Sequence, residues 1–231
     1  MIDLHTHILP NIDDGAKTPQ ESVKLLHESY SQGISICVAT PHIVVHNNAK
    51  IGEFLSKRAE SIKELKNELL TAKCNHPNVL FGAEVLVDND LSEYEDIKKL
   101  CIQGTNLLVV ELSYTTYSKY YPEWLFSLSV QGISLILAHI ERYPYFDRLH
   151  HNLEGTNITY QINAETLLSA SGRGLAKRLY QAGHQVIASS DTHGIAYRKN
   201  HMLEAYKKME KKDKPMADNI FNTYALQLLN S

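Results

Sequence analysis

Six stretches of the chain are almost continuously apolar and rich in β-branched residues: ISICVAT (34–40), VLFGAEVLV (79–87), LLVVEL (107–112), ISLILAH (133–139), ITYQIN (158–163) and QVIASS (185–190). Hydrophobicity that continuous, rather than alternating, predicts parallel strands buried on both faces. The opening MIDLH supplies a seventh strand. Helical patterns with explicit ends lie between these runs. Thr18-Pro19-Gln20-Glu21 is a capping box with proline at the first helical position. Val23, Leu26 and Tyr30 then share one face, and Gly33 closes the helix. EFLSKRAESIKELKNELLTAK (53–73) predicts a long amphipathic helix with Lys57, Glu60 and Glu64 toward solvent, and two helical patterns, 199–212 and 215–229, finish the chain. Seven β units with no linker-like boundary predict one domain over 1–231, an α/β fold built as a (β/α) barrel of seven strands rather than eight. Periodicity leaves an open doubly wound sheet as the alternative.

Composition narrows the class of function. With 231 residues and 43% hydrophobic content, the chain can bury a substantial core. A formal net charge of -3 gives no electrostatic reason to expect nucleic acid or an anionic membrane as partner. No run approaches the ~20 apolar residues needed to span a bilayer. Asp3, His5 and His7 occupy the place of a basic and apolar leader, so no signal peptide is expected and a cytoplasmic location follows. Cys37, Cys74 and Cys101 are an odd count without CxxC spacing, which fits a reducing compartment and argues against a thiolate zinc site. Twelve histidines are the unusual feature, and their positions decide what they mean.

Those positions are strand ends. His5 and His7 follow the first strand, His42 the second, and Glu84 sits late in the third. Glu111 ends the fourth, His139 the fifth and Asn163 the sixth, while Asp191 and His193 follow the seventh. In a parallel barrel the strand C-termini share one rim, so residues scattered along the chain converge there. Carboxylates with imidazoles suit Zn, Mn or Fe, and the absence of thiolates disfavours a structural zinc. Taken singly, His42 or His139 is more often a hydrogen-bonded loop residue than a ligand. Glu84 and Glu111 differ, because each interrupts an apolar strand, and a buried carboxylate costs several kcal/mol unless paired or bound to a cation. Their joint occurrence with the strand-end histidines predicts a polynuclear metal site. His27, His46, His76, His150, His151, His184 and His201 miss the strand ends and are expected in solvent or ordinary hydrogen bonds.

The strings HTH (5–7), LPNIDDGAKT (9–18), ATPH (39–42), GAEV (82–85), AHIERYP (138–144) and SDTH (190–193) resemble the polymerase and histidinol phosphatase (PHP) superfamily. Within it they are similar to the bacterial manganese-dependent protein tyrosine phosphatases of capsule and exopolysaccharide loci, from residue 1 to about 200. Asn11 stands where that family usually has glycine, and both residues tolerate a left-handed turn. Thr192 stands where alanine is common. The resemblance implies the PHP fold, a distorted seven-stranded TIM-like barrel, with three divalent ions, Mn2+ first and Fe or Zn as alternatives. It implies that His5, His7, Glu84 and Asp191 hold one ion, that Glu84 bridges to a second held by Glu111 and His139, and that Asp14, His42 and His193 hold a third. The sequence alone does not choose between Asp13 and Asp14; the family pattern favours Asp14.

Adjacent divalent ions can acidify a bridging water, hold a phosphoryl oxygen and support in-line attack of hydroxide on a phosphate monoester. Phosphotyrosine suits this scheme, since its leaving phenol has a pKa of ~10. Arg142 and Arg198 are placed to fork onto phosphate oxygens, with a plain surface role as the alternative. SYTTYSKYYPEW (113–124) holds four tyrosines beside the only tryptophan, and Tyr117 and Tyr121 are candidate contacts to a phenyl ring. Thiolate-based phosphatase chemistry needs an arginine six positions after the cysteine, but Ile43, Leu80 and Leu107 stand there. YKKMEKKDKP (206–215) is expected to be a solvated helix end stopped by Pro215.

The function expected is thus a metal-dependent protein tyrosine phosphatase, its partner a phosphotyrosine protein such as a bacterial tyrosine kinase of polysaccharide export. The alternative keeps the metals and changes the substrate: a histidinol-phosphatase-like small-molecule phosphatase or a phosphoesterase. An amidohydrolase often needs a lysine on the fourth strand, where Glu111 stands. A degenerate scaffold would lack ligands, and none of the set is missing.

Overall fold

A computed structural model of the chain describes residues 1–231. The apolar runs become strands β1 (Ile2–Thr6), β2 (Ile36–Ala39), β3 (His42–Val44), β4 (Asn78–Phe81), β5 (Glu84–Leu86), β6 (Leu107–Glu111), β7 (Ser134–Leu137), β8 (Ile158–Asn163) and β9 (Val186–Ser189). Every ladder is parallel. They form a three-stranded sheet, β1-β2-β4, and a six-stranded sheet, β3-β5-β6-β7-β8-β9. This differs from the expected single ring of seven strands. The predicted run 79–87 is broken at Gly82-Ala83, and the run 34–40 is followed, across Thr40-Pro41, by a short strand outside the predicted runs. Pro41 has no N–H to give to a ladder. Because β2 pairs with β4 and β3 with β5, both runs leave one sheet and enter the other together. That shared turn sets His42 and Glu84 side by side as register partners.

A parallel bridge between Thr6 and Thr192 joins β1 to the chain just past β9. The His7 N–H donates to the Thr192 carbonyl at 2.9 Å and the Asp191 N–H to the His5 carbonyl at 3.0 Å. Within β1 the pairing register slips between Asp3 and Thr6. Leu4 packs in an inner apolar cluster, whereas the next residue, His5, turns its ring to Gln161 and Glu84. A regular strand would send those neighbours to opposite faces, so the irregularity re-aims the ligand-type side chains.

The helices α1 (Pro19–Ser31), α2 (Asn48–Ala72), α3 (Tyr121–Val130), α4 (Phe146–His150), α5 (Ala164–Leu167), α6 (Ala170–Gln181), α7 (Met202–Glu210), α8 (Lys214–Asp218) and α9 (Tyr224–Leu229) surround the strands. The Thr18 hydroxyl caps α1 by accepting from the Glu21 N–H at 3.2 Å; Glu21 accepts from the Lys17 N–H, one residue before the cap. Tyr30, expected on the buried face of α1, is 45% exposed. Ser29 takes the buried place and accepts a hydrogen bond from Asn200. Helix α2 starts at Asn48, before the expected residue 53, because the Asn47 side chain caps it by accepting from the Lys50 N–H. Pro215 does not stop α7; it lies in the first turn of α8, which Asp213 caps. A π-helical turn, Asn219–Thr223, joins α8 to α9. The inner apolar cluster takes Leu4, Val38, Val109, Ile136 and Ile187 from five strands and is closed by Ala225 and Leu228 of α9. Since Val109 precedes Glu111 by two residues on one strand face, this cluster is an apolar floor beneath the polar rim. No helix is long and apolar enough to cross a membrane.

Candidate metal centre

The C-terminal ends of β1, β6, β7, β8 and β9, and the first residues of β3 and β5, turn polar side chains into a common cage. His139 and Asp191 sit in the left-handed region, at φ 34 and 51, where a non-glycine residue is strained by roughly 1–3 kcal/mol. Such strain persists where surrounding contacts hold it, and here it redirects each side chain sharply at the end of a strand. Asn11, at φ 57, turns the loop that carries Asp13 and Asp14 back over His7.

Glu84 lies at the centre and is fully buried. Its Oε2 is 3.1 Å from His5 Nε2, 3.2 Å from His7 Nε2 and 3.0 Å from His42 Nδ1, and its Oε1 is 2.7 Å from His139 Nε2. Glu111 Oε1 is 3.2 Å from His42 Nδ1, and its other oxygen is 3.9 Å from His139. Asp191 Oδ1 is 3.7 Å from His5, 3.5 Å from His7 Nε2 and 3.5 Å from His193. Asp14, 63% exposed in its side chain, reaches His193 Nε2 at 3.3 Å and His42 Nε2 at 3.6 Å. Three sets offer ligand atoms within 4.8 Å of one another: His5, His7 and Glu84; His42, Glu84 and Glu111; and His7, Asp14, His42 and His193. The grouping differs from the allotment implied by resemblance at four points. His42 faces Glu111 as well as Asp14, His7 belongs to two sets, and Asp191 and His139 fall in none of the three.

The residues fit divalent cations. Glu84 Oε2 and Asp191 Oδ1 are buried without a hydrogen-bond partner, and both face imidazole nitrogens. His5 Nε2 and His7 Nε2 stand 3.2 Å apart, aimed at the same carboxylate oxygen. Burial pushes the Glu84 carboxyl up, but His5, His139 and His42 outweigh it and hold the group well below the usual range. Asp191 behaves likewise, its burial overcome by His5 and His7. Burial lowers His42, yet Glu111 and Glu84 raise it to about 10. Burial and the neighbouring His7 push His193 down to about 4. The carboxylates draw positive charge into the cage, and divalent cations compete with imidazolium protons to supply it.

A second layer fixes the ring nitrogens. His7 Nδ1 donates to Asp13 at 2.7 Å, and Asp13 also accepts from the His42 and Gly15 N–H groups. Asp13 is therefore tied to a ring and backbone, while Asp14 faces His42 and His193. His193 Nδ1 donates to the Asp191 carbonyl at 2.9 Å. Gln161, fully buried, accepts from His5 Nδ1 at 3.1 Å and the His139 N–H at 2.7 Å. It donates to Asn163 at 2.8 Å, which donates to Asp191 Oδ2 at 2.9 Å. Sequence reasoning passed over Gln161, although a glutamine inside an apolar strand is a signal of the same kind as Glu84. Replacing Gln161 with leucine leaves two buried donors unpaired. Manganese affinity, measured by calorimetric titration, is expected to fall about 10–100-fold.

Arg142 and Arg198 both donate to Asp191 Oδ2, Arg142 at 2.9 Å, and Arg198 also donates to His193 Nε2 at 2.8 Å. The Thr192 hydroxyl ties the Arg198 loop by donating to the Arg198 carbonyl at 3.0 Å. Tyr117 and Tyr121 are not brought to the cage. Tyr121 is buried with its hydroxyl on backbone groups, and Tyr117 packs on Tyr145 beneath Arg148. Tyr114, which the sequence did not single out, reaches the cage instead and donates to Glu111 Oε2 at 2.7 Å. Of the remaining histidines, His27 and His76 bond backbone carbonyls. His46 and His201 lie near Asp88 and Glu204. His150, His151 and His184 line a separate cavity of about 380 Å³ near the N-terminal ends of β8 and β9.

The sequence matches the family described as "Capsular polysaccharide synthesis, CpsB/CapC" over residues 1–230. Tyrosine-protein phosphatase CpsB of Streptococcus agalactiae is 27% identical over 223 residues, covering 90% of this chain and 88% of that protein. Tyrosine-protein phosphatase YwqE of Bacillus subtilis is 29% identical over 222 residues, covering 91% and 84%. Crystallographic work on YwqE from Bacillus subtilis and CpsB from Streptococcus pneumoniae, described as metal-dependent tyrosine phosphatases, provides a matching fold at TM-score 0.82 and 24% identity, over 100% of this chain and 94% of that one. A phosphotriesterase homology protein from Escherichia coli shares the fold more distantly, at TM-score 0.57 and 11% identity over 99% and 97%.

Proposed function

Because the chain belongs to the CpsB/CapC family of capsular polysaccharide synthesis proteins, we propose that it is a metal-dependent protein tyrosine phosphatase. The observation that carries this reading is Glu84: a fully buried carboxylate among four imidazoles, with one oxygen free of hydrogen bonds, in a cage whose Asp191 is held by two arginines. The names of the similar proteins from Streptococcus and Bacillus support the same chemistry. We read the two sheets as one distorted barrel of seven staves within a single PHP-type domain. The ligand set would be His5, His7, Asp14, His42, Glu84, Glu111, His139, Asp191 and His193, holding three divalent ions, manganese first. When bound, divalent cations offset charge on a phosphoryl oxygen and make hydroxide available near neutral pH.

The chain's own groups do the rest. Arg142 and Arg198 converge on one oxygen of Asp191, so their guanidiniums stand together at the mouth. Planar forks in that position can take phosphate oxygens bidentately and orient the ester. A phenolate leaves with little help from an acid, its pKa being ~10. The thiols take no part: burial pushes Cys37 up strongly and Cys101 to about 11, which suppresses the nucleophilic thiolate. We place the substrate on a phosphotyrosine protein, a tyrosine kinase of polysaccharide export, and the reaction in the cytoplasm.

Purified protein is expected to hydrolyse a phosphotyrosine peptide when manganese is added, to stop on chelation, and to be indifferent to cysteine alkylation. Turnover of histidinol phosphate but not of the peptide would replace this reading with the small-molecule one. Loss of activity on alkylation would overturn the metal chemistry.

A further inference from the structure

Three parallel rings form a column that ends at the mouth, with the half-buried Tyr145 at one end, the buried Tyr143 in the middle and Tyr114 at the other end. Tyr145 stacks on Tyr143 at 5.7 Å and 15°, and Tyr143 on Tyr114 at 6.1 Å and 17°. Tyr143 is buried, and its hydroxyl accepts from the Leu112 N–H at 3.0 Å. The column therefore stands on backbone one residue past Glu111. Tyr114 is its exposed top, at 39%. Its hydroxyl donates to Glu111 Oε2 at 2.7 Å and lies 3.5 Å from His139 Nε2. The other carboxylate oxygen, Oε1, remains facing His42 at 3.2 Å. On its outer side the guanidinium of Arg142 lies 5.7 Å from the ring centroid, with Nη1 3.5 Å from the phenol oxygen.

We propose that Tyr114 is a positioning residue joining the two halves of the reaction site. Its hydroxyl commits one oxygen of Glu111, so that the carboxylate presents the other, in a fixed direction, to a cation. Its ring carries the Arg142 guanidinium at the height where the ester's phosphate would arrive, an attraction of the cation–π kind. The stacked column supplies rigidity, since a ring held by Tyr143 has few alternatives to its observed rotamer. The two duties are separable: the first belongs to the hydroxyl and the second to the ring.

This inference rests on the proposed phosphatase reading, and its test divides the two. Tyr114→Phe keeps the ring and loses the hydroxyl. Tyr114→Leu loses both. Manganese binding is followed by calorimetry on chelator-treated protein, and kinetics use a phosphotyrosine peptide. For Tyr114→Phe, manganese binding should weaken about 10-fold or more at one site, with kcat falling and KM within twofold of the parent. For Tyr114→Leu, KM should rise as well, about 10-fold. The metal-free melting temperature of Tyr114→Phe should match the parent, which a purely structural role would not allow. Unchanged manganese affinity and kcat in Tyr114→Phe would overturn the proposal. A parent chain inactive on the peptide would overturn the phosphatase reading instead, and the manganese titration of Tyr114→Phe would still decide the role of the phenol.

Discussion

Glu84→Gln is expected to lower phosphatase activity at least a thousand-fold, roughly 4 kcal/mol of lost transition-state stabilisation. The change keeps the volume of the side chain and removes one charge. Its position makes that charge decisive: both oxygens lie within 2.7–3.2 Å of imidazole nitrogens, four rings from three segments of the chain. An amide cannot bridge cations there, and its NH2 points at rings whose free nitrogens are already committed to the same space. A second readout separates catalysis from folding. Manganese at a hundred times its dissociation constant stabilises a native protein by ~2.7 kcal/mol, a rise of several degrees in melting temperature for a chain of this size. The parent should show that rise and Glu84→Gln should show little of it. Activity within tenfold of the parent, or an undiminished rise in melting temperature, would remove Glu84 from the centre of the site.

Gly15→Ala is expected to be nearly as damaging, by steric means. A Cβ at this position would lie 2.0 Å from the His7 carbonyl oxygen and 2.6 Å from the His7 Cβ. The Gly15 N–H donates to Asp13, and the next residue donates to that same His7 carbonyl at 3.0 Å. The loop therefore rests on His7 with no room for a methyl group, and relief requires moving it by about an ångström. Asp13 would lose its hold on the His7 ring, and Asp14 would leave His42 and His193. Overpacking of this kind costs about 1–3 kcal/mol in stability, and a 1 Å misplacement about a hundred-fold in rate. Manganese stoichiometry should fall by one, the ion assigned to Asp14, His42 and His193. Gly52→Ala, on a stretch of α2 where nothing lies within 4 Å, is the control and should leave stoichiometry and rate unchanged. Full stoichiometry in Gly15→Ala would show that the loop does not place a ligand.

How much of this was visible in the sequence depends on which physical signal each residue leaves. Glu84 and Glu111 were legible because a carboxylate inside an apolar strand demands a partner. The histidines at strand ends were legible because parallel strands bring their C-termini to one rim. The break at Gly82-Ala83 and the short strand after Pro41 were not, since an apolar run looks the same whether it stays in one sheet or crosses to another. The proline was the available clue. The tyrosine-rich segment gave the right neighbourhood but the wrong members. Tyr117, Tyr121 and Tyr114 share one composition, and only the stacking of Tyr114 on Tyr143 decides which ring reaches Glu111. Tyr30 was misplaced because helical periodicity predicts a face without saying how wide the covered stripe is. Asp13 and Asp14 are chemically identical neighbours, told apart only by the folded loop, in which Asp13 accepts from His7, Gly15 and His42 while Asp14 faces His42 and His193.

The bridge between Thr6 and Thr192 has a consequence for the order of assembly. It brings His5 and His7 beside Asp191 and His193 across almost the entire polypeptide, a closure of very high sequence separation and so a slow one. A nascent chain emerging from the ribosome carries its first two imidazoles, and Glu84 beside them, long before Asp191 and His193 exist. The set of His7, Asp14, His42 and His193 is then complete only in a molecule whose first and last strands have already met, a late step in assembly.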